Sequence, residues 1–194
     1  MTVATVQETI ADISLELSQY KEASEYYQLS LDTIKKAFPG IFVDSMPSVG
    51  TGKLYGLAEA YDGLGDIHKA ETFYKLALNY EKQGPGGLYG SEGFIYAEHM
   101  VGLAGFYNRL NKWEQAELLL ESAVSILKNK LGKQHPTYAE ALSEQSILFS
   151  GQGLELESFN KQAEALESLS IFLERLSSWA DESRLQTYAL KLET

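Results

Sequence analysis

The sequence predicts an all-α protein, a solenoid of about four helical hairpins followed by a C-terminal capping helix. Three observations lead there. The 194 residues include only four prolines, and long stretches rich in Ala, Leu, Glu and Tyr favour helix nearly throughout. One framework also recurs along the chain. Ala58, Tyr61, Gly65, Ala70, Tyr74 and Ala77 have counterparts 47 residues earlier in Ala11, Ser14, Ser18, Ala23, Tyr27 and Ser30. Moving 46 residues forward gives Ala104, Tyr107, Asn111, Ala116, Leu120 and Ala123, and a further 42 gives Ser146, Phe149, Gly153, Ser158, Gln162 and Ala165. Such periods belong to stacked repeats rather than to one globular core. Finally, small residues 12 positions apart flank a turn residue in each copy, which places them on the facing sides of two antiparallel helices.

The first hairpin, about 4–38, is expected as helices over 4–17 and 20–37. A link over 39–52 follows, PGIFVDSMPSVGTG, with the apolar residues Ile41, Phe42, Val43 and Met46. The second hairpin, about 51–83, pairs 52–64 with 67–83. Gly65 suits the left-handed residue of a helix C-terminus, and Asp66 can cap the next helix. The glycine-rich stretch 83–93, QGPGGLYGSEG, must be a loop. The third hairpin, about 93–130, pairs 93–110 with 113–130 around Asn111. The fourth, about 136–166, is the most degenerate copy, pairing 137–151 with 155–176 around Gly153. Residues 167–194 are expected as a capping helix and tail. Leu166, Leu169, Phe172, Leu173, Leu176 and Trp179 fall on one helical stripe there, with a partner-binding or dimerising helix as the alternative. A hairpin cannot bury its apolar face alone, so neighbours must stack. The first begins almost at Met1, as a piece of a longer array would.

LYGLAEAYDGLGDIHKAETFYKLAL (54–78) and MVGLAGFYNRLNKWEQAELLLESAV (100–124) resemble the tetratricopeptide repeat, with its small–aromatic–turn–Ala–aromatic–Ala framework. LGKQHPTYAEAL (131–142) looks like the junction of kinesin-light-chain-type repeats, and the long spacing fits that kind better than the usual ~34 residues. The resemblance covers roughly 4–166. It implies a right-handed superhelix and a role in binding proteins.

The bulk numbers remove whole classes. A net charge of −11 opposes binding to nucleic acid or anionic membranes. No apolar run approaches the ~18 residues of a membrane span, and MTVATVQETIADISLEL is no secretory signal. A cytoplasmic location is expected. The absence of cysteine excludes disulfides and thiolate metal sites.

Asp66, His68 and Glu71 lie close in sequence, but the repeat frame makes them a cap, a surface residue and a first-turn carboxylate. The third repeat has Lys112, Glu114 and Glu117 there, so no chemistry recurs. His99 has Glu98 beside it, and adjacent helical residues do not face one another. His135 precedes Pro136 and suits a turn and capping role. VGTGKL (49–54) fails as a phosphate loop, because Pro47 stands at its first glycine and Leu54 at its Ser/Thr. GPGGLYG (84–90) lacks both the strand and the glycine spacing of a nucleotide site. The chain is read as non-catalytic, without cofactor or metal.

In the resembled family the first helix of each hairpin lines a concave groove. Carried over by position, the groove candidates are Glu8 and Asp12 from the first hairpin and Tyr55, Glu59 and Asp62 from the second. The third contributes Glu98, Val101, Gly105, Asn108 and Arg109, and the fourth Glu140, Ser143, Glu144 and Ile147. With Glu16 the rows hold eight carboxylates against Arg109 alone. Glu8 and Asp12 replace the Lys and Asn with which some relatives clamp acidic tails, so a basic or polar peptide or protein is the expected partner. Tyr55, Asn108 and Arg109 would give polar specificity. The alternative is a self-associating module that forms homo-oligomers through the 41–46 link or the C-terminal helix.

Overall fold

Four turns with one backbone geometry organise the molecule. Ser18, Gly65, Asn111 and Gly153 all adopt positive φ, between 56° and 78°. In each case the next amide reaches back five residues: Gln19 to Ser14, Asp66 to Tyr61, Lys112 to Tyr107 and Leu154 to Phe149, at 2.8–2.9 Å. These bonds close off helix carbonyls that would otherwise be orphaned. Glycine and asparagine take this conformation readily. At Ser18 the turn is held by the same bond without that ease.

A computed structural model describes residues 2–37, 47–83 and 92–192. Its helices, in chain order, are α1 (Val3–Glu16), α2 (Tyr20–Ala37), α3 (Pro47–Gly63), α4 (Ile67–Gln83), α5 (Phe94–Arg109), α6 (Trp113–Lys130), α7 (Pro136–Gly151) and α8 (Glu155–Leu192). They form four consecutive antiparallel hairpins, and each stacks on the next. No strand occurs among the described residues. None of these helices is long and apolar enough to cross a membrane.

The caps are local in origin. Thr2 accepts the Thr5 amide at the start of α1. Asp66 accepts the Lys69 amide at 3.1 Å at the start of α4. His135 accepts from the Thr137 amide ahead of Pro136, whose missing N–H costs nothing in the first turn. The small residues of the framework sit where the helix pairs approach most closely. Ala11 and Ala23, Ala58 and Ala70, and Ala104 and Ala116 are all fully buried. The fourth hairpin has serines there instead, and Ser158 donates to the Ser146 carbonyl at 2.9 Å. That bond satisfies the hydroxyl inside a close contact.

Two boundaries differ from the expectation. The link does not extend to 52, because α3 begins at Pro47, where a prolyl φ is preset for a first helical turn. The remaining 38–46, with the apolar link residues, and the loop residues 84–91 lie outside the described residues. The C-terminal segment is also no separate helix. α8 runs unbroken from Glu155 to Leu192, since no Gly or Pro occurs in it to end the helix.

Candidate functional site

The first helices line a common concave side. Leu15 of α1, Tyr55, Glu59, Asp62 and Gly63 of α3, Val101, Gly102, Gly105 and Arg109 of α5, and Glu140 and Glu144 of α7 surround a space of about 490 Å³. Tyr20 of α2 and Tyr74 of α4 reach it from behind. Its floor is aromatic. Tyr55 stands edge-on to Tyr74, with ring centres 5.4 Å apart. On its other side Tyr55 stacks on His99 at 4.2 Å with the planes 13° apart. The Tyr55 hydroxyl occupies the space that a Cβ on residue 102 would fill. Glycine at that position is therefore what lets α3 and α5 meet through this ring.

Of the sequence-derived candidates, Tyr55, Glu59, Asp62, Val101, Gly105, Arg109, Glu140 and Glu144 border this space together. The others are placed differently. Glu8 is bonded at 2.7 Å to Lys53, a lysine almost wholly buried on α3. Asp12 accepts the Tyr27 hydroxyl at 2.7 Å. Asn108 is buried, and its amide donates to the Glu144 carbonyl and carboxylate; only its side-chain oxygen is unpartnered. Ser143 donates to the Ala139 carbonyl of its own helix, and Ile147 is half exposed on α7. Arg109, expected to give polar specificity, is ion-paired with Asp62.

Electrostatics distinguishes the remaining carboxylates. Glu59, Glu98 and Glu140 have no ion pair or hydrogen-bond partner among the described residues. Glu59 is pushed up to about 7, first by burial and then by Glu140, Asp62 and Glu98, with Arg109 pulling the other way. Glu98 and Glu140 keep contact with solvent, but the surrounding wall raises both, and Glu98 and Glu144 add to the rise of Glu140. Three like charges converge where the solvent that would screen them is partly excluded.

The trio near the second turn is not a site. His68 is exposed and Asp66 is the α4 cap. Glu71 is held well below the usual carboxylate range, at about 2, by Lys75, Lys112 and the Tyr107 hydroxyl. It ties the second hairpin to the third. No group of His, Asp and Glu among the described residues is arranged to hold a metal ion.

Sequence reasoning missed His99 as a structural element. It is buried, its Nδ1 has no partner, and burial lowers its pKa to about 4. Its counterparts in the repeat frame, Lys53 and Ala141, are buried as well, but a lysine at that position gives no sequence signal of burial.

Comparison with known proteins accords with this architecture. Residues 97–137 match the family model described as tetratricopeptide repeat. The chain is 30% identical over 168 residues to the Arabidopsis thaliana protein kinesin light chain-related 3, covering 86% of this chain and 24% of that protein. It thus spans about a quarter of that relative's length. Nearly identical TPR-like repeats of the kinesin-light-chain kind from Podosopora anserina superpose with a TM-score of 0.65 at 17% identity, covering 95% of both chains. BtubC (BKLC) from P. vanneervenii superposes with a TM-score of 0.60 at 18% identity, over 92% of this chain and 78% of that one. At these identities the two structures speak to the fold, a right-handed αα superhelix.

Proposed function

We propose, from the premise that the chain is an array of tetratricopeptide repeats of the kinesin-light-chain type, that it is a non-catalytic scaffold whose concave side receives a basic or polar segment of a partner protein. Tetratricopeptide proteins generally act by binding other proteins, and the chemistry of this groove narrows the partner. The observation that carries the reading is the gathering of Glu59, Glu140 and Glu144 around one space whose lining has a single basic side chain, Arg109, with Glu98 near enough to act on Glu59 and Glu140. Burial and neighbouring carboxylates raise Glu59 to about 7 and raise Glu140, and burial raises Glu98 against the pull of His135; a lysine or arginine from outside would offset that electrostatic cost. Tyr55 and Tyr74 supply a flat apolar floor beside them. Gly102 and Gly105 on the α5 wall receive the Tyr55 hydroxyl and the Glu144 carboxylate. The same reading places the protein in the cytoplasm, where it would meet such partners.

The test uses two fluorescent nonapeptides of matched length, one Lys/Arg-rich and one Asp/Glu-rich. Anisotropy is measured at low and at high salt. The basic peptide should bind, weaken as salt shortens the ~8 Å Debye length, and lose at least tenfold in affinity to Glu59→Lys/Glu140→Lys. Equal binding of both peptides, or no effect of charge reversal, would remove the groove from the reading.

A further inference from the structure

The far side of α8 repeats a junction surface on which nothing packs among the described residues. In the first hairpin, Ser24, Tyr27 and Leu31 form the α2 face that meets α3. Tyr27 lies where a Cβ on Gly56 would stand, and all three residues are buried. Advancing by the repeat spacing puts Phe159, Gln162 and Leu166 on the same face of α8. There Phe159 is 70% exposed and Leu166 59%. Leu156 and Leu173, which extend the stripe in both directions along the helix, are also exposed. In the other hairpins the residues equivalent to Leu166 are Leu78 and Val124, and both pack against the core clusters. An α-helix lying where the next first helix would lie is the shape that completes this face.

Charge selects among possible occupants. In the helical projection Glu167 and Glu174 lie along one edge of the stripe and Glu155 at its N-terminal end, whereas Lys161 and Arg175 fall on the opposite side of α8. A second copy of this chain is a poor match. Its own uncovered first-helix face, with Val6 and Ile13 exposed, carries Glu16 at the position that is a glycine receiving an aromatic ring in two of the three internal junctions and Arg109 in the other. Tyr20 fills the space over Gly63, and Trp113 the space over Gly151. End-to-end stacking would set Glu155 of one copy against Glu16 of the next, and like charges there are unfavourable.

We propose that this face of α8 is a second docking surface, separate from the groove, which takes an amphipathic helix with a small or aliphatic stripe and Lys or Arg on its flanks from another protein. Such a helix would lie in the manner of an additional first helix. Its apolar stripe would cover Phe159 and Leu166, with a basic residue against Glu155 at one end and a basic edge over Glu167 and Glu174. Gln162 stands where Tyr27, Tyr74 and Leu120 stand in the other hairpins. The centre of the contact is therefore polar, and the association reversible.

The probe is a labelled synthetic amphipathic helix of about 20 residues with a Leu/Ala stripe and Lys flanks. Its counter-probe has the same stripe with Glu flanks, and both are titrated against the full chain. The Lys-flanked helix should bind at least tenfold tighter than the Glu-flanked one. Phe159→Ser/Leu166→Ser should weaken it at least tenfold, as should Glu155→Lys/Glu174→Lys, while Glu59→Lys/Glu140→Lys leaves it unchanged. These side chains are solvent-exposed, so the variants should keep the wild-type thermal melt. Absence of saturable binding, or indifference to both α8 variants, overturns the proposal. Loss on the groove variant alone means that the helix sits in the groove. Concentration-dependent self-association of the wild type, abolished by Phe159→Ser/Leu166→Ser, gives the face to a second copy and also overturns it.

Discussion

The junction between the first and second hairpins and the one between the second and third solve the same packing problem with different chemistry. At the first, Tyr20 and Tyr27 of a second helix press into the spaces over Gly63 and Gly56. Leu31, Leu54, Leu57 and Ala60 fill in around Tyr27, whose hydroxyl donates to Asp12, and a Lys53–Glu8 ion pair joins α3 to α1. At the second, the ring comes from a first helix. Tyr55 meets Gly102, stacks on a buried histidine, and borders a concave space where unpaired carboxylates gather. A polar tie through Glu71, Tyr107 and Lys112 replaces apolar contact at its outer edge. The first junction answers mainly to shape, because two of its rings sit directly over glycines. The second also answers to pH, through His99 and Glu59 at its border.

The sharpest way to break this comparison is to fill the glycine sockets. Gly56→Val forces a branched side chain into the Tyr27 ring and should cost about 3 kcal/mol, at the upper end for overpacking. The loss, read by urea denaturation, should be the same at pH 5 and pH 8. Gly102→Ala displaces the Tyr55 hydroxyl and should cost about 1–3 kcal/mol. It should also weaken the basic nonapeptide, which Gly56→Val should not do in protein that remains folded. Equal effects of the two changes on peptide affinity would erase the distinction between the junctions.

The next test is acid. His99 has a pKa of about 4 in the folded chain, below its ordinary value near 6.5. Its contribution is intact above pH 6.5 and is lost as pH falls from there through 4, because the unfolded chain takes up the proton first. His99→Phe keeps a ring against Tyr55 without the titration. Its stability relative to wild type should therefore grow by up to about 3 kcal/mol between pH 7 and pH 4. A difference independent of pH would mean that His99 is not kept neutral by burial.

Glu59 gives the smallest effect, with the opposite sign. Its folded pKa of about 7 lies above the unfolded one, so the folded chain holds the extra proton. The site is favourable below about 4.5, and stability falls as pH rises towards 7. Glu59→Gln should stabilise the chain by about 1–2 kcal/mol at pH 8 and by almost nothing at pH 4.5. Basic-peptide affinity should increase between pH 6 and pH 8 in the wild type and stay level in the variant. A flat wild-type profile would detach Glu59 from the ligand.

What the sequence determined by itself was local or periodic. Helix ends follow from caps and turn residues within a few positions, such as Asp66, Gly65 and the His135–Pro136 pair. The stacking follows from small residues that return at a fixed interval, and their spacing is a one-dimensional fact. That regularity also brought eight of the fourteen groove candidates to one concave space. Tertiary structure alone decided which polar groups were already engaged. Lys53 crosses from α3 to Glu8, and Arg109 reaches Asp62 from 47 residues away. Asn108 turns into the fold to meet Glu144. The same level of structure buried His99 and left Phe159 and Leu166 uncovered. The reason is physical. A helix terminus is set by neighbours along the chain, whereas the partner of a long charged side chain depends on which helix is stacked beside it and at what depth. Identical positions in successive repeats therefore carry the same backbone and different chemistry.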